Sequence, residues 1–328
     1  MLPRVGTVSP QPATRPVGRS DLEVSVLGLG CNQIGRTVDR DGARRLIDEC
    51  EAVGVNLVDT ADTYGDAGSS EEFLGDALAG ARRDRFVVAT KFGMRLSGIP
   101  GVLEAPRGSR DYIRWAVEGS LRRLQTDHID LYQYHRPDGV TPLEETLGAM
   151  NELVDEGRVR FIGCSNFGAG QVDEAARVAE ENGWAAFVSL QNEYSLLKRE
   201  LETGVVPACE RHGLGILPYF PLARGLLTGK YRRGEAGPEG ARLSSREEVA
   251  DARTFDVLEA LERYAEERGV SLLEVAIGGL AAQPAVASVI AGARRPDQIA
   301  GNARAARWVP SEDDLRALNE IVPPGRSV

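Results

Sequence analysis

Cysteine is sparse. Four stand in 328 residues, at 31, 50, 164 and 209, and no two form a CxxC pair. That excludes a disulfide framework and predicts reduced, buried thiols. No apolar run reaches the roughly 18 residues of a membrane span, so no membrane partner is expected. The first residues, MLPRVGTVSPQPATRP, lack the apolar core of a secretory signal. They read as a poorly ordered arm over residues 1–14, and the cytoplasm is the expected location. Basic residues are the minority, 39 against 49 acidic, for a net charge of −10. That disfavours a general nucleic-acid binder or a protein of anionic membranes. No HExxH occurs, and His128 and His212 lack metal-ligand spacing, so no metal is expected. Gly28-Leu-Gly30 is followed by Gly35, too far on for GxGxxG. The segment Gly225 to Tyr231 falls one residue short of a phosphate loop and ends in tyrosine.

What is present is ordinary globular material, 42% hydrophobic and 27% charged. Short β-branched runs recur near Val26–Gly30, Asn56–Asp59, Phe86–Lys91, Ile129–His135, Val159–Ser165, Phe187–Asn192, Gly215–Pro221 and Ser288–Gly292, eight in all. Most starts lie about 30 residues apart, the length of a strand-plus-helix unit. Helical spacing fills the gaps, as in Ala43, Leu46, Ile47, Cys50 and Val53 before Gly54. Thr141-Pro-Leu-Glu144 and Ser271-Leu-Leu-Glu274 read as capping boxes. Asn182-Gly183 and Gly269 read as helix ends. Phe255, Leu258 and Leu261 form the apolar stripe of a helix in REEVADARTFDVLEALERYAEERG.

Eight alternations predict a parallel (β/α)8 TIM barrel, with an open doubly wound sheet as the alternative. No linker divides the chain, so residues 15–328 read as one domain. Arg15 to Val26 suggests a hairpin plugging the barrel bottom. Residues 230–253 read either as a loop over the catalytic face or as a solvated insertion.

In such a barrel the chemistry sits at the carboxyl ends of the strands. Those ends carry Asp59 with Tyr64 just after it, Lys91, His135, Ser165-Asn166, Gln191-Asn192, Tyr219, and Gly292-Ala-Arg294-Arg295. A buried lysine needs a counter-charge, and Asp59 on the adjacent run supplies it. An ammonium beside Tyr64 would favour the phenolate and lower the phenol below its usual value near 10. Such a tyrosine is a general acid, with His135 as a second hydrogen-bonding group on the same carbonyl oxygen. No serine or cysteine has an evident base. That points to hydride from a bound cofactor.

The stretches VNLVDTADTYGDAGSSEEFLGDAL, VVATKFG, HIDLYQYHRPD, GRVRFIGCSNF, SLQNEYSLL, GILPYFPLARGLLTGKY and VIAGARRPDQIAGNARAA together resemble the aldo-keto reductase family over nearly the whole chain. The resemblance implies a catalytic tetrad of Asp59, Tyr64, Lys91 and His135, and an NADP(H) site preferred over NAD(H). It implies that Ser165, Asn166 and Gln191 hold the nicotinamide carboxamide and that Tyr219 stacks on the ring. Pro221, Leu222, Gly225 and Lys230 would follow the pyrophosphate. Gly292, Arg294, Gln298 and Asn302 would hold the adenosine end, with Arg294 and Arg295 as donors to a 2′-phosphate at a helix beginning near Pro296. Asn32 and Gln33, and Arg95 and Arg136 near the substrate side, are more polar than a purely apolar substrate pocket would carry.

The implied partner is a small-molecule carbonyl substrate, reduced reversibly to an alcohol by a monomer. Two other readings stay open. Lys91 is the Schiff-base amine of a barrel aldolase, or the chain senses nucleotide while binding a partner, as channel-associated β-subunits similar to this family are thought to do.

Overall fold

The computed structural model describes residues 12–66, 68–96, 101–239, 243 and 250–328. A short hairpin comes first, pairing β1 (Thr14–Pro16) antiparallel with β2 (Glu23–Ser25). Eight parallel strands follow: β3 (Leu27–Gly30), β4 (Leu57–Asp59), β5 (Val87–Phe92), β6 (Ile129–Tyr134), β7 (Val159–Ser165), β8 (Ser189–Gln191), β9 (Gly215–Ile216) and β10 (Val289–Gly292). Their order is β10-β3-β4-β5-β6-β7-β8-β9. Backbone bonds from Ile216 N to Ala285 O, Ala287 N to Ile216 O and Ile290 N to Pro218 O join the two ends of that order. The sheet thus curls into the expected barrel, with helices outside.

Alternation along β6 shows why such a strand is buried on both faces. Leu131 faces an interior cluster with Leu57, Ala89 and Leu217. Tyr132 and Tyr134 face outward and stack on Phe92 at 4.9 and 5.1 Å.

The helices start and stop largely where their polar residues dictate. Asp39 accepts from Gly42 N to cap α1 (Arg40–Val53), and Gly54 ends it with φ 78°. Ser271 and Glu274 make the reciprocal box at α2 (Leu272–Ala281). Gly183 and Gly269 close the helices Ala169–Asn182 and Ala252–Arg268 in the left-handed region. The box expected at Thr141 does not form. The helix begins at Leu143 with no side-chain cap, because the Thr141 hydroxyl and amide both bond Asp138 instead. All four cysteines are free and buried.

The hairpin plugs the barrel bottom. Val17, Leu22 and Val24 join the interior cluster, and Arg19 N bonds Gly213 O. Gly18 is required there: its φ is +60°, and a Cβ would meet Gly213 O, with Gly215 N at 2.7 Å. The arm expected over residues 1–14 falls outside the described residues up to residue 11. Pro12 is buried, Ala13 O accepts from Val26 N, and Thr14 opens β1. At the other end, after the helix Glu312–Ile321, the tail pairs with the loop that follows β8. Arg199 N bonds Arg326 O, and Val328 N bonds Leu197 O.

Residues 240–242 and 244–249 of the 230–253 loop lie outside the described residues. Its described beginning is tied to the helix Ala252–Arg268 by Arg232–Glu262 and Arg233–Asp256 ion pairs, while Tyr231 and Leu243 pack on that helix's apolar stripe. Among the described residues, no helix is long and apolar enough to cross a membrane.

Candidate active site

Parallel register puts Asp59 beside Ala89, and Lys91 one inward position further along β5. Both side chains therefore enter the barrel at its carboxyl end. Lys91 is fully buried, and its Nζ donates to Asp59 Oδ2 at 2.7 Å, to Thr60 O at 2.7 Å and to Tyr64 Oη at 3.4 Å. A tight turn presents the tyrosine. Tyr64 N bonds Ala61 O, Ser70 N bonds Tyr64 O, and Gly65 has φ +72° with Ser69 packed where a Cβ would lie. The His135 ring meets the Tyr64 ring edge-on, with centroids 5.9 Å apart. The four residues singled out in the sequence thus share one cup.

The electrostatics depart from expectation in one respect. Burial raises the Tyr64 phenol above its ordinary value, outweighing the Lys91 charge that pulls it down, while Asp59 adds to the rise. The predicted lowering is therefore not found, because the site removes water from the phenolate faster than the ammonium compensates. The phenol keeps its proton across neutral pH. Burial alone would lower Lys91, but Asp59 and then Tyr64 outweigh it and raise it. Burial first, then Lys91 and Arg136, push His135 well below the usual imidazole range, so the ring is neutral. Its Nδ1 is sealed from solvent without a partner among the described residues.

A ring of amides steadies the ion pair. Gln191 Nε2 donates to Asp59 Oδ1 at 2.8 Å, and Gln133 Nε2 to the same oxygen at 3.3 Å. Gln191 is thus engaged with Asp59 rather than directed freely at a ligand. Asn166 holds φ +61°, a conformation asparagine tolerates. Its Nδ2 donates to His135 O and Ser165 Oγ, and its Oδ1 accepts from Tyr219 Oη at 2.9 Å. The Ser165 hydroxyl retains its proton for donation. Tyr219 keeps one partly exposed ring.

The anionic end of a dinucleotide finds a fitting environment further along the rim. The backbone turns sharply after Tyr219, with positive φ at Phe220, Ala223, Arg224 and Gly225. Pro221 and Leu222 lie within that turn, and Lys230 Nζ approaches Gly225. The Lys230 ammonium is lowered by burial and then by the like charges of Arg294 and Arg295. Cations that repel one another suit a bound phosphate. Helix α3 (Pro296–Ala305) starts beside them, as expected, with Pro296 at its first turn. Gln298 Oε1 accepts from the amides of Arg294 and Arg295, so it shapes this helix start. Arg295 is paired with exposed Asp297. Gly292 is exposed at the strand end, and Asn302 is buried on α3.

Two contributors to the site, Gln133 and Thr60, and one buried acid outside it, Asp62, escaped the sequence reading. Gln133 lies two residues before His135, on the same inward face, and that spacing could have revealed it. Thr60 contributes only a carbonyl, which no side-chain pattern reports. Asp62 is buried, and neither carboxyl oxygen has a hydrogen-bond partner among the described residues. The Tyr112 and Tyr132 hydroxyls are also orphaned, and both phenols are raised in part by the charge of Asp62. Burial and then Glu71 push the Asp62 carboxyl well above its usual range. Clefts lined by Arg83, Asp84 and His128 also open at the opposite end of the barrel, away from the tetrad. Among the described residues, no cluster of His, Cys, Asp and Glu could hold a metal.

Residues 26–323 match the aldo/keto reductase family. The chain is 37% identical over 313 residues to an uncharacterized oxidoreductase, YrpG, of Bacillus subtilis, covering 94% of this chain and 95% of the relative. It is 34% identical to the aldo-keto reductase YhdN of the same organism, covering 93% and 92%. It is also 37% identical to a probable voltage-gated potassium channel subunit beta of Oryza sativa, covering 90% and 91%.

Proposed function

The chain belongs to the aldo/keto reductase family, and from that premise we propose that it reduces aldehydes or ketones to alcohols with NADPH. The observation that carries this reading is the buried Asp59–Lys91 pair with Lys91 Nζ 3.4 Å from Tyr64 Oη. When bound, the reduced nicotinamide supplies hydride to the carbonyl carbon. Tyr64 gives its phenolic proton to the carbonyl oxygen, balancing the hydride. Lys91, anchored by Asp59, stabilises the tyrosinate left behind. His135 donates from Nε2 to the same oxygen and orients it. Ser165 and Asn166, with Gln191 bonded to Asp59 behind them, would hold the carboxamide, and Tyr219 would offer a face to the ring. Pro221, Leu222, Gly225 and Lys230 would border the pyrophosphate. Gly292, Arg294, Gln298 and Asn302 would border the adenosine, and Arg294 and Arg295 would favour a 2′-phosphate. The cytoplasm remains the proposed location, and a monomer the proposed state.

The Schiff-base alternative fits poorly. An amine held charged by Asp59 lacks the free lone pair such chemistry needs. Relatives named as potassium channel subunits favour a second reading, a nucleotide-sensing subunit with little turnover. A panel of carbonyl compounds followed at the nicotinamide absorbance, with NADPH and NADH in parallel, separates the two. Steady consumption is expected. Tyr64→Phe should lower kcat by about 10²- to 10⁴-fold with NADPH binding retained. Unchanged turnover in that variant removes the acid assignment.

A further inference from the structure

Arg136 is the residue at this mouth that the mechanism leaves unused. It follows His135 directly, and where His135 is buried Arg136 is exposed. Among the described residues its guanidinium forms no ion pair or hydrogen bond. The acids around it are committed elsewhere. Asp138 accepts from Gly108 N, Val140 N, Thr141 N and the Thr141 hydroxyl. Glu193 is paired with Lys198 at 3.1 Å.

A second guanidinium reaches the same sector. Arg107 Nε donates to Gly93 O at 3.0 Å, and a Cβ on Gly93 would lie 3.6 Å from Arg136 O. Between Met94 and Gly108 the sequence carries two arginines and a single acid, Glu104. This sector is therefore cationic in a chain whose net charge is −10. The Arg136 charge is felt at two rings that flank the cup, since it lowers both His135 and Tyr219. Exposed at the rim one residue beyond His135, with its backbone beside Gly93, Arg136 stands on the side of the cup where a carbonyl oxygen would meet Tyr64 and His135. A planar cation there, backed by low-dielectric protein, matches a carboxylate in shape and charge.

Resting on the reductase reading, we propose that the preferred substrates carry a carboxylate next to their carbonyl-bearing group and that Arg136 receives it. The anchor sets specificity and takes no part in proton or hydride movement. Its effect therefore falls mainly on KM.

The test compares 3- and 4-carboxybenzaldehyde with their neutral methyl esters at pH 7 and low salt. The readout is the acid-to-ester ratio of kcat/KM. A charge-assisted pair predicts a ratio of about 10 to 100 for at least one isomer. The ratio should collapse toward one in Arg136→Met, recover in part in Arg136→Lys, and shrink in 0.5 M salt as the pair is screened. A ratio near or below one for both isomers in the wild type overturns the anchor. So does a ratio that Arg136→Met leaves unchanged. If neither acid nor ester is reduced with either nicotinamide, the reductase reading fails, and terephthalate binding by titration calorimetry then decides the anchor. Saturable binding that weakens at least tenfold in Arg136→Met supports it. Absent or Arg136-independent binding overturns it.

Discussion

Replacing Lys91 by methionine separates what the ion pair does for stability from what it does for chemistry. Lys91 is fully buried and donates to Asp59, Thr60 and Tyr64. Removing it leaves a buried carboxylate without its counter-charge, a loss worth about 3–5 kcal/mol. Asp59 keeps its bonds from Gln191 at 2.8 Å and Gln133 at 3.3 Å, so the lower end of that range is expected. The double variant Asp59→Asn, Lys91→Met removes both charges and leaves an amide that can still bond its neighbours. It should recover about 2 kcal/mol of the loss, because an uncharged pair needs no compensation. Urea unfolding followed by the fluorescence of the three tryptophans gives the energies. Carbonyl reduction should fall at least about 100-fold in both variants, recovered stability notwithstanding. Two results refute the reasoning: a Lys91→Met protein within about 1 kcal/mol of wild type, which is too small for a broken buried pair, or a double variant no more stable than the single one.

Two further outcomes follow from the same electrostatics. Asp62 is raised in the folded state, so its contribution is fully present below the unfolded carboxylate value and is lost as pH rises toward the folded one. Asp62→Asn should therefore match wild type near pH 4 and gain on it at higher pH, by about 1.4 kcal/mol per unit within the window. Unfolding at pH 4, 5.5 and 7 checks this, and a pH-independent difference contradicts it. Lys230→Met should raise KM for NADPH and for NADH alike, about 10-fold, since the pyrophosphate it would bond is common to both. A loss confined to NADPH would move Lys230 from the pyrophosphate to the 2′-phosphate.

The barrel was legible because each strand is short, apolar on both faces and separated from the next by a helical period. Strand ends were less so. The run Gly215–Pro221 shortens to Gly215–Ile216 because Pro218 has no N–H to continue a ladder, although Leu217 and Tyr219 still bond Leu190 and Asn192. Thr141 looked like a cap until Asp138, folded back over it, offered a stronger acceptor. Asp59 and Asp62 stand three apart in one segment, and no local pattern tells them apart. Their difference arises across strands, where Lys91 enters the barrel beside Asp59 while Asp62 faces outward toward Tyr112 and Tyr132. The sign of the Tyr64 shift was hidden for a related reason. Residue types named the neighbouring ammonium, but the depth of burial that outweighs it exists only once the barrel closes.

The hairpin stopper at one end and the tail stitched beside β8 at the other make the two termini unequal handles. A tether attached ahead of Ala13 would leave from the sealed floor, so molecules fixed to a support that way would face their opening to the solution. A linker continuing from Val328 would start on the doorway side, and whatever it carried would compete for space with arriving reactants.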